Sequence, residues 1–239
     1  MKQLFILKAG TTFPATAQAF GDFDAWTRAA LGPLRMDVRA LDVEHGAPLP
    51  PPDACAGVVI TGSHAMVTDR LPWSVALEHW LPLLIANNTP VFGICYGHQL
   101  LAQATGGEVG FHSQGSELGT VEVRRLPESD SDPLFGTLPM TFPAHVAHAQ
   151  SVLRLPPNAV RLAANRHEAT HAFRVGDCAW GVQFHPEYTP GIMGSYIREE
   201  AADLGLTPED VAARLRAVRE TSAAEQTLRA FGRLAEARA

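Results

Sequence analysis

A cysteine and, far along the chain from it, a histidine and a carboxylate two residues apart have the types and settings needed for nucleophilic catalysis by a thiolate. Cys95 stands in Pro90-Val-Phe-Gly-Ile-Cys95-Tyr-Gly-His-Gln-Leu-Leu, between a strand-like apolar run and a helix-like run, with Gly93 and Gly97 on either side. A side chain at such a junction sits at a helix N-terminus, where free backbone N–H groups and the positive dipole end favour a thiolate. The pattern Gly93-x-Cys95-x-Gly97 is the thiol counterpart of the serine nucleophile elbow, whose tight turn needs small neighbours. A matching base lies in Trp180-Gly-Val-Gln-Phe-His185-Pro-Glu187. Positions i and i+2 of an extended segment face one side, which brings Glu187 to the imidazole of His185. Cys95 is then the nucleophile, His185 the general base and later acid, and Glu187 the carboxylate that fixes the ring.

The elements that must carry these residues alternate along the first part of the chain. Strand-type runs at Leu4–Leu7, Met36–Val43, Val58–Thr61 and Val91–Ile94 are interleaved with helix-type runs near Phe23–Leu31, Trp73–Ala86 and Gly97–Ala104. That alternation predicts βα units around a parallel sheet with helices on both faces. Open sheets of this kind place ligands at the carboxyl ends of central strands, where Cys95 falls. After Glu108 shorter strand-like runs follow, at Thr120–Leu126, Val160–Ala164, Ala172–Val175 and Ala179–Phe184. They predict a mixed or antiparallel extension that returns His185 to the elbow. The proline-rich stretch Pro48–Pro52 reads as a stiff loop.

Beyond Thr189 the sequence changes character. Thr207-Pro208-Glu209-Asp210 has the capping hydroxyl, first-turn proline and acids of a helix start. Ser222-Ala-Ala-Glu225 reads as a capping box. Apolar residues at Val211, Leu215 and Val218, then at Leu228, Phe231 and Leu234, recur at helical spacing. The reading is residues 1–190 as a catalytic domain and 191–239 as a helical extension packed on it. The competing reading makes these helices a docking surface for a partner protein or a second copy of the chain.

A chain of 239 residues with 46% hydrophobic and 18% charged residues can bury a single substantial core. A formal charge of −6 gives no basis for a nucleic-acid surface. No apolar run approaches the roughly 20 residues that span a bilayer. The opening Met-Lys-Gln-Leu-Phe-Ile-Leu-Lys reads as a first strand and not as a signal peptide. Three cysteines, an odd number, do not form a disulfide framework, so a cytoplasmic location is expected. Cys55 and Cys178 lie in or beside apolar strands and read as buried fillers.

Other constellations are weaker. His167-Glu168-Ala-Thr-His171 matches the His-Glu-x-x-His zinc pattern, which requires a helix with both histidines on one face. Here the segment lies between strand-type runs, so a hairpin turn is expected and no metal. His145 and His148, three apart in a strand, point to opposite faces. His98 falls one turn into the helix after Cys95 and is assigned a packing role.

Taken together, Gly-Ile-Cys95-Tyr-Gly-His-Gln99 and Gly-Val-Gln-Phe-His185-Pro-Glu187 resemble the class I glutamine amidotransferases, most closely the glutaminase domain of GMP synthetase. Val58-Val-Ile-Thr-Gly62-Ser, Glu117-Leu-Gly119-Thr-Val and His148-Ala-Gln-Ser-Val resemble supporting segments in the family's order, across roughly residues 1 to 190. The last departs from the family's Ser-His-Gly-Asp-x-Val in lacking the serine and the aspartate. The resemblance implies a three-layer, flavodoxin-like α/β fold. It also implies that the backbone N–H groups of Gly62 and Tyr96 form an oxyanion hole, each donor worth about 2.7–4 kcal/mol. Gln99, Glu117, Gly119 and His148 would bind the amino-acid end of the substrate. The implied reaction is attack of Cys95 on the side-chain amide of glutamine, release of ammonia, and hydrolysis of a glutamyl thioester, with no cofactor.

No Gly-rich nucleotide loop accompanies these motifs. The chain therefore reads as a stand-alone glutaminase that hands ammonia to a separate synthase. The alternatives are a γ-glutamyl hydrolase or peptidase acting on a larger amide and, third, a regulatory homologue without activity. Tyr96 after the nucleophile, with Gln99, resembles the GMP-synthetase type more than the γ-glutamyl hydrolases, which tilts the choice to glutamine.

Overall fold

The computed structural model describes residues 2–239. In chain order the strands are β1 (Gln3–Lys8), β2 (Val38–Asp42), β3 (Cys55–Ile60), β4 (Val91–Ile94), β5 (Glu108–Phe111) and β6 (Glu117–Arg125). They continue with β7 (Thr141–His148), β8 (Gln150–Arg154), β9 (Val160–Ala164), β10 (Ala172–Val175) and β11 (Ala179–Val182). The helices are α1 (Pro14–Phe20), α2 (Phe23–Leu31), α3 (Pro72–Ala86), α4 (Tyr96–Ala104), α5 (Pro190–Glu199), α6 (Pro208–Ala217) and α7 (Ser222–Ala237).

One sheet runs in the order β2-β1-β3-β4-β11-β10-β9-β6-β7, and β5 pairs with β8 apart from it. Neighbours from β2 to β11 are parallel, and those from β11 to β7 are antiparallel. This is the mostly parallel sheet with a mixed extension that the alternation of runs predicts.

The period of two along each central strand sorts its side chains into two cores. Leu4, Ile6, Val59, Phe92 and Ile94 pack with Ala30 and Leu31 of α2 and with Leu228 and Phe231 of α7. Phe5, Leu7, Val58, Ile60 and Val91 pack with Leu77, Leu81 and Leu84 of α3 and Leu100 of α4. Three layers follow from that division. No helix among the described residues is long and apolar enough to cross a membrane.

The C-terminal helices differ in how they attach. Helix α7 lies in the main core, with Phe231 fully buried and its ring centroid 5.3 Å from that of Phe92. Gly57 lets it approach β3, since a Cβ there would come within 2.8 Å of Ala235. Phe231→Ala is therefore expected to destabilise the chain by about 3–5 kcal/mol, the usual cost of emptying a large aromatic site. Urea unfolding would measure it, and a loss below about 1 kcal/mol would contradict this packing. Helix α6 has no fully buried residue and rests Val211 and Leu215 against a satellite cluster with Leu118 and Tyr196.

One start signal fails and one holds. Thr207 caps α6 in a full capping box with Asp210. The expected box at Ser222 and Glu225 does not form: Thr221 is the N-cap residue of α7, without a side-chain cap. Ser222 already lies inside the helix, and Glu225 instead reaches one turn forward to Arg229.

Candidate active site

The elbow is formed by close backbone approach. Cys95 joins β4 to α4 with φ +48° and ψ −96°, an uncommon conformation for a residue with a side chain. A Cβ on Gly93 would lie 2.3 Å from the Gly97 carbonyl oxygen, and one on Gly97 would lie 2.6 Å from that of Ile60. Both positions require glycine for that reason. The Cys95 N–H donates to the Val182 carbonyl at 2.8 Å, tying the elbow to the neighbouring strand. Cys95 itself is buried, with its sulfur 3.7 Å from the Ala147 carbonyl oxygen.

Parallel pairing of β4 with β11 sets Ile94 opposite Val182, so both chains leave the sheet at the same end. Three residues beyond Val182, the His185 N–H donates to the His145 carbonyl at 2.8 Å. Glu187 Oε1 accepts from His185 Nδ1 at 2.8 Å. Residues 186 and 187 form a turn, so the carboxylate reaches the ring through a reversal of the chain and not along an extended segment as the spacing alone predicts. Burial opposes charge on His185, but Glu187 and Cys95 prevail and push its pKa up to about 10. The carboxylate and the sulfur thus both favour the imidazolium form. Tyr188 stacks on the same ring, with centroids 3.9 Å apart and planes at 21°.

Gly62 lies beneath this pair. A Cβ there would come within 3.0 Å of His185 Cε1. The Tyr96 N–H belongs to the first turn of α4, where a helix leaves its amides without an internal acceptor.

Cys95 opens into a cavity of about 350 Å³ whose walls include Tyr96, Gln99, His148 and Gln150. Gln99 donates through Nε2 to the Gln150 carbonyl at 2.8 Å and to Gln183 Oε1 at 3.0 Å. Glu117 and Gly119 are not part of these walls. Glu117 is held by His148 Nε2 at 3.2 Å and Asn165 Nδ2 at 2.8 Å, while His171 Nε2 lies 3.4 Å from it. Against the effect of burial, these contacts hold its carboxyl well below the usual range. Gly119 adopts φ +124° within β6.

A family model described as glutamine amidotransferase class-I matches residues 34–203. This chain is a class I glutamine amidotransferase. It is 32% identical over 186 residues to one subunit of the glutamine-hydrolysing GMP synthase of Natronomonas pharaonis, covering 77% of this chain and 92% of that one. It is 30% identical over 161 residues to the γ-glutamyl-L-1-hydroxyisopropylamide hydrolase of a Pseudomonas species, covering 64% and 54%. A crystal structure of a glutamine amidotransferase from Thermotoga maritima superposes with a TM-score of 0.75 at 21% identity, covering 98% of each chain. The chain spans only 24% of the length of the Aeropyrum pernix GMP synthase that it matches.

Within this amidotransferase fold the remaining sequence candidates take up structural positions. His98 is fully buried against Phe173, and burial pushes its pKa down to about 3, so it stays neutral. His167 and His171 fall in the connection between β9 and β10 and diverge: His167 stacks on His112, and His171 turns inward to Glu117. His145 meets Thr120 Oγ1 at 3.0 Å, and His148 meets Glu117, on separate sides of β7. Cys55 and Cys178 are free and buried, and burial pushes the Cys55 thiol up to about 11.

Sequence reasoning missed much of the cavity. Phe13, His64, Gln150, Glu200 and Asp203 all line it. Only Gln150 has a local signal, since it lies in the His148-Ala-Gln-Ser-Val segment. The others come from stretches whose local sequence has no motif.

Proposed function

We propose that this amidotransferase hydrolyses the side-chain amide of glutamine through Cys95, His185 and Glu187. The observation that carries the reading is the buried His185 ring, held by Glu187 at 2.8 Å beside a cysteine displayed on a strained elbow. The Cys95 thiolate adds to the amide carbonyl, and the N–H groups of Gly62 and Tyr96 receive the developing oxyanion. The carbon–nitrogen bond then breaks as His185 gives its proton to the departing nitrogen, leaving a glutamyl thioester. The neutral ring next takes a proton from water, whose oxygen attacks the thioester. Glutamate leaves and the thiolate returns. Gln99 and His148, on the cavity wall, hold the amino-acid end, with Glu117 and Gly119 supporting them from behind.

The Natronomonas relative, itself one part of a GMP synthase, supports transfer of the ammonia to a separate synthase. The three free thiols suit a reducing cytoplasm. The Pseudomonas relative and the aromatic wall that Phe13 and His64 build beside Cys95 favour a second reading, a hydrolase of larger γ-glutamyl amides.

Ammonia and glutamate release by the purified chain tests both readings. Cys95→Ala is expected to remove turnover, by roughly 10⁶-fold if the three residues act as a unit, with circular dichroism unchanged. Residual turnover near the wild-type rate would rule out Cys95 as the nucleophile.

A further inference from the structure

The cavity around Cys95 has two chemically different walls. One is built from amides and a histidine: Gln99 Nε2 and His148 Nδ1 both meet the Gln150 carbonyl, at 2.8 and 3.0 Å. The other is aromatic and acidic. Phe13 packs on His64 with centroids 4.3 Å apart, backed by Tyr196 at 5.2 Å from Phe13. Glu200 and Asp203, at and just beyond the end of α5, face the same space.

The second wall lies on the side of the base: Tyr196 packs on Tyr188 with centroids 4.9 Å apart, Tyr188 stacks on His185, and the Glu200 N–H donates to the Tyr196 carbonyl one turn back. That is where the departing nitrogen is protonated, so this wall meets the amine half of a substrate and the amide wall meets the glutamyl half.

Its chemistry asks for a cation. Among the described residues neither Glu200 nor Asp203 forms a salt bridge, every such pair lying elsewhere. Burial pushes the Glu200 carboxyl up, and Asp203 adds to the effect against the pull of His185 and His148. Glu200 is half-buried and Asp203 exposed, and a carboxylate in such a setting with no salt-bridge partner is favoured by an incoming positive group. An aromatic face beside it adds cation–π attraction. Gln150, on the opposite wall, is 1% exposed; its Nε2 donates to Thr68 Oγ1 at 2.6 Å, and its Oε1 has no partner.

We propose that the amine half of the substrate carries its own positive charge: the site takes γ-glutamyl amides of short diamines, with Glu200 and Asp203 binding the distal ammonium beside Phe13. This rests on the second reading of Cys95 as the nucleophile of a γ-glutamyl amide hydrolase. Water supplies the hydroxyl to the glutamyl carbonyl and the proton to the departing amine, so glutamate and a free diamine are the products.

Three substrates of equal reach separate the charges: γ-glutamyl-1,4-diaminobutane, its neutral pentylamide counterpart, and γ-glutamyl-4-aminobutyrate. In the wild-type chain kcat/KM should favour the cation over the neutral amide by about tenfold or more, with the anion slowest. In Glu200→Gln/Asp203→Asn that ratio should fall to near one. Equal rates for all three in the wild type would overturn the proposal. So would an equal loss on all three in the variant, which would assign the acids to the α-ammonium that every substrate shares. Calorimetry with 1,4-diaminobutane alone gives a readout independent of turnover. Saturable binding that disappears in the double variant supports the site even if no amide is cleaved, a result that would remove the hydrolase reading; no binding and no charge preference would remove the site.

Discussion

Glu187→Gln should lower kcat for amide hydrolysis by about 10⁴-fold, the scale seen when an orienting carboxylate becomes an amide and the ring is left in the wrong tautomer. The carboxylate at 2.8 Å is what holds a buried histidine in its charged form. An amide there leaves the burial cost of the imidazolium without its main compensation, and the neutral ring becomes the resting form. The same change has a stability signature whose sign is fixed. In the wild type the His185 pKa is raised from about 6.5 when unfolded to about 10 when folded. Its contribution is therefore complete below about pH 6.5 and is lost as the pH rises through about 10. Urea unfolding of the wild type between about pH 6.5 and 10 should show stability falling across that window, and Glu187→Gln should flatten the fall. Parallel curves for the two proteins would mean that His185 is not charged through Glu187.

Gly93→Ala should be the most damaging substitution of a single methyl group. Its Cβ would lie 2.3 Å from the Gly97 carbonyl oxygen, 2.4 Å from the Gly97 carbonyl carbon and 2.7 Å from the His98 nitrogen. All three are backbone atoms of the first turn of α4, so no side chain can rotate away. The helix must move off β4 and carry Cys95 with it. Overpacking of this kind costs about 1–3 kcal/mol, occasionally more, and displacing a reacting atom by about 1 Å costs roughly 100-fold in rate. Thermal unfolding and ammonia release, measured together, check the two halves of the expectation. A variant with native stability and full turnover would show that the elbow is not as tight as described.

Much of the fold, in the parallel half and in the antiparallel extension, is legible because its strands and helices leave local periodic traces. The runs read at Phe23–Leu31, Val91–Ile94, Val160–Ala164 and Ala172–Val175 coincide with α2, β4, β9 and β10. Elements without such a trace stay hidden in the sequence. Strand β7 contains Pro143, which reads against a strand, yet β7 is the sheet edge, where a missing ladder donor is tolerated. Helix α5 carries Gly191 and Gly194, poor helix formers, and is set by the Thr189 cap and by burial of Ile192, Met193, Tyr196 and Ile197. The capping pattern at Ser222 misleads because Thr221, one residue earlier, occupies the cap position.

The sequence alone was enough to pick out Cys95, His185 and Glu187 and the glycines around the nucleophile. A tight elbow and a histidine two residues from a carboxylate are short-range features, and short-range features are written in adjacent residues. The tertiary structure decided which distant segments meet. Parallel pairing of β4 with β11 brings His185 to the end of the sheet where Cys95 lies, and the turn at Pro186 lets Glu187 reach it. His148, Asn165 and His171 draw Glu117 away from the cavity wall, while Phe13, His64, Glu200 and Asp203 converge on Cys95 from separate segments. Strand order and register arise from the packing of whole layers, and no local pattern of residues encodes them.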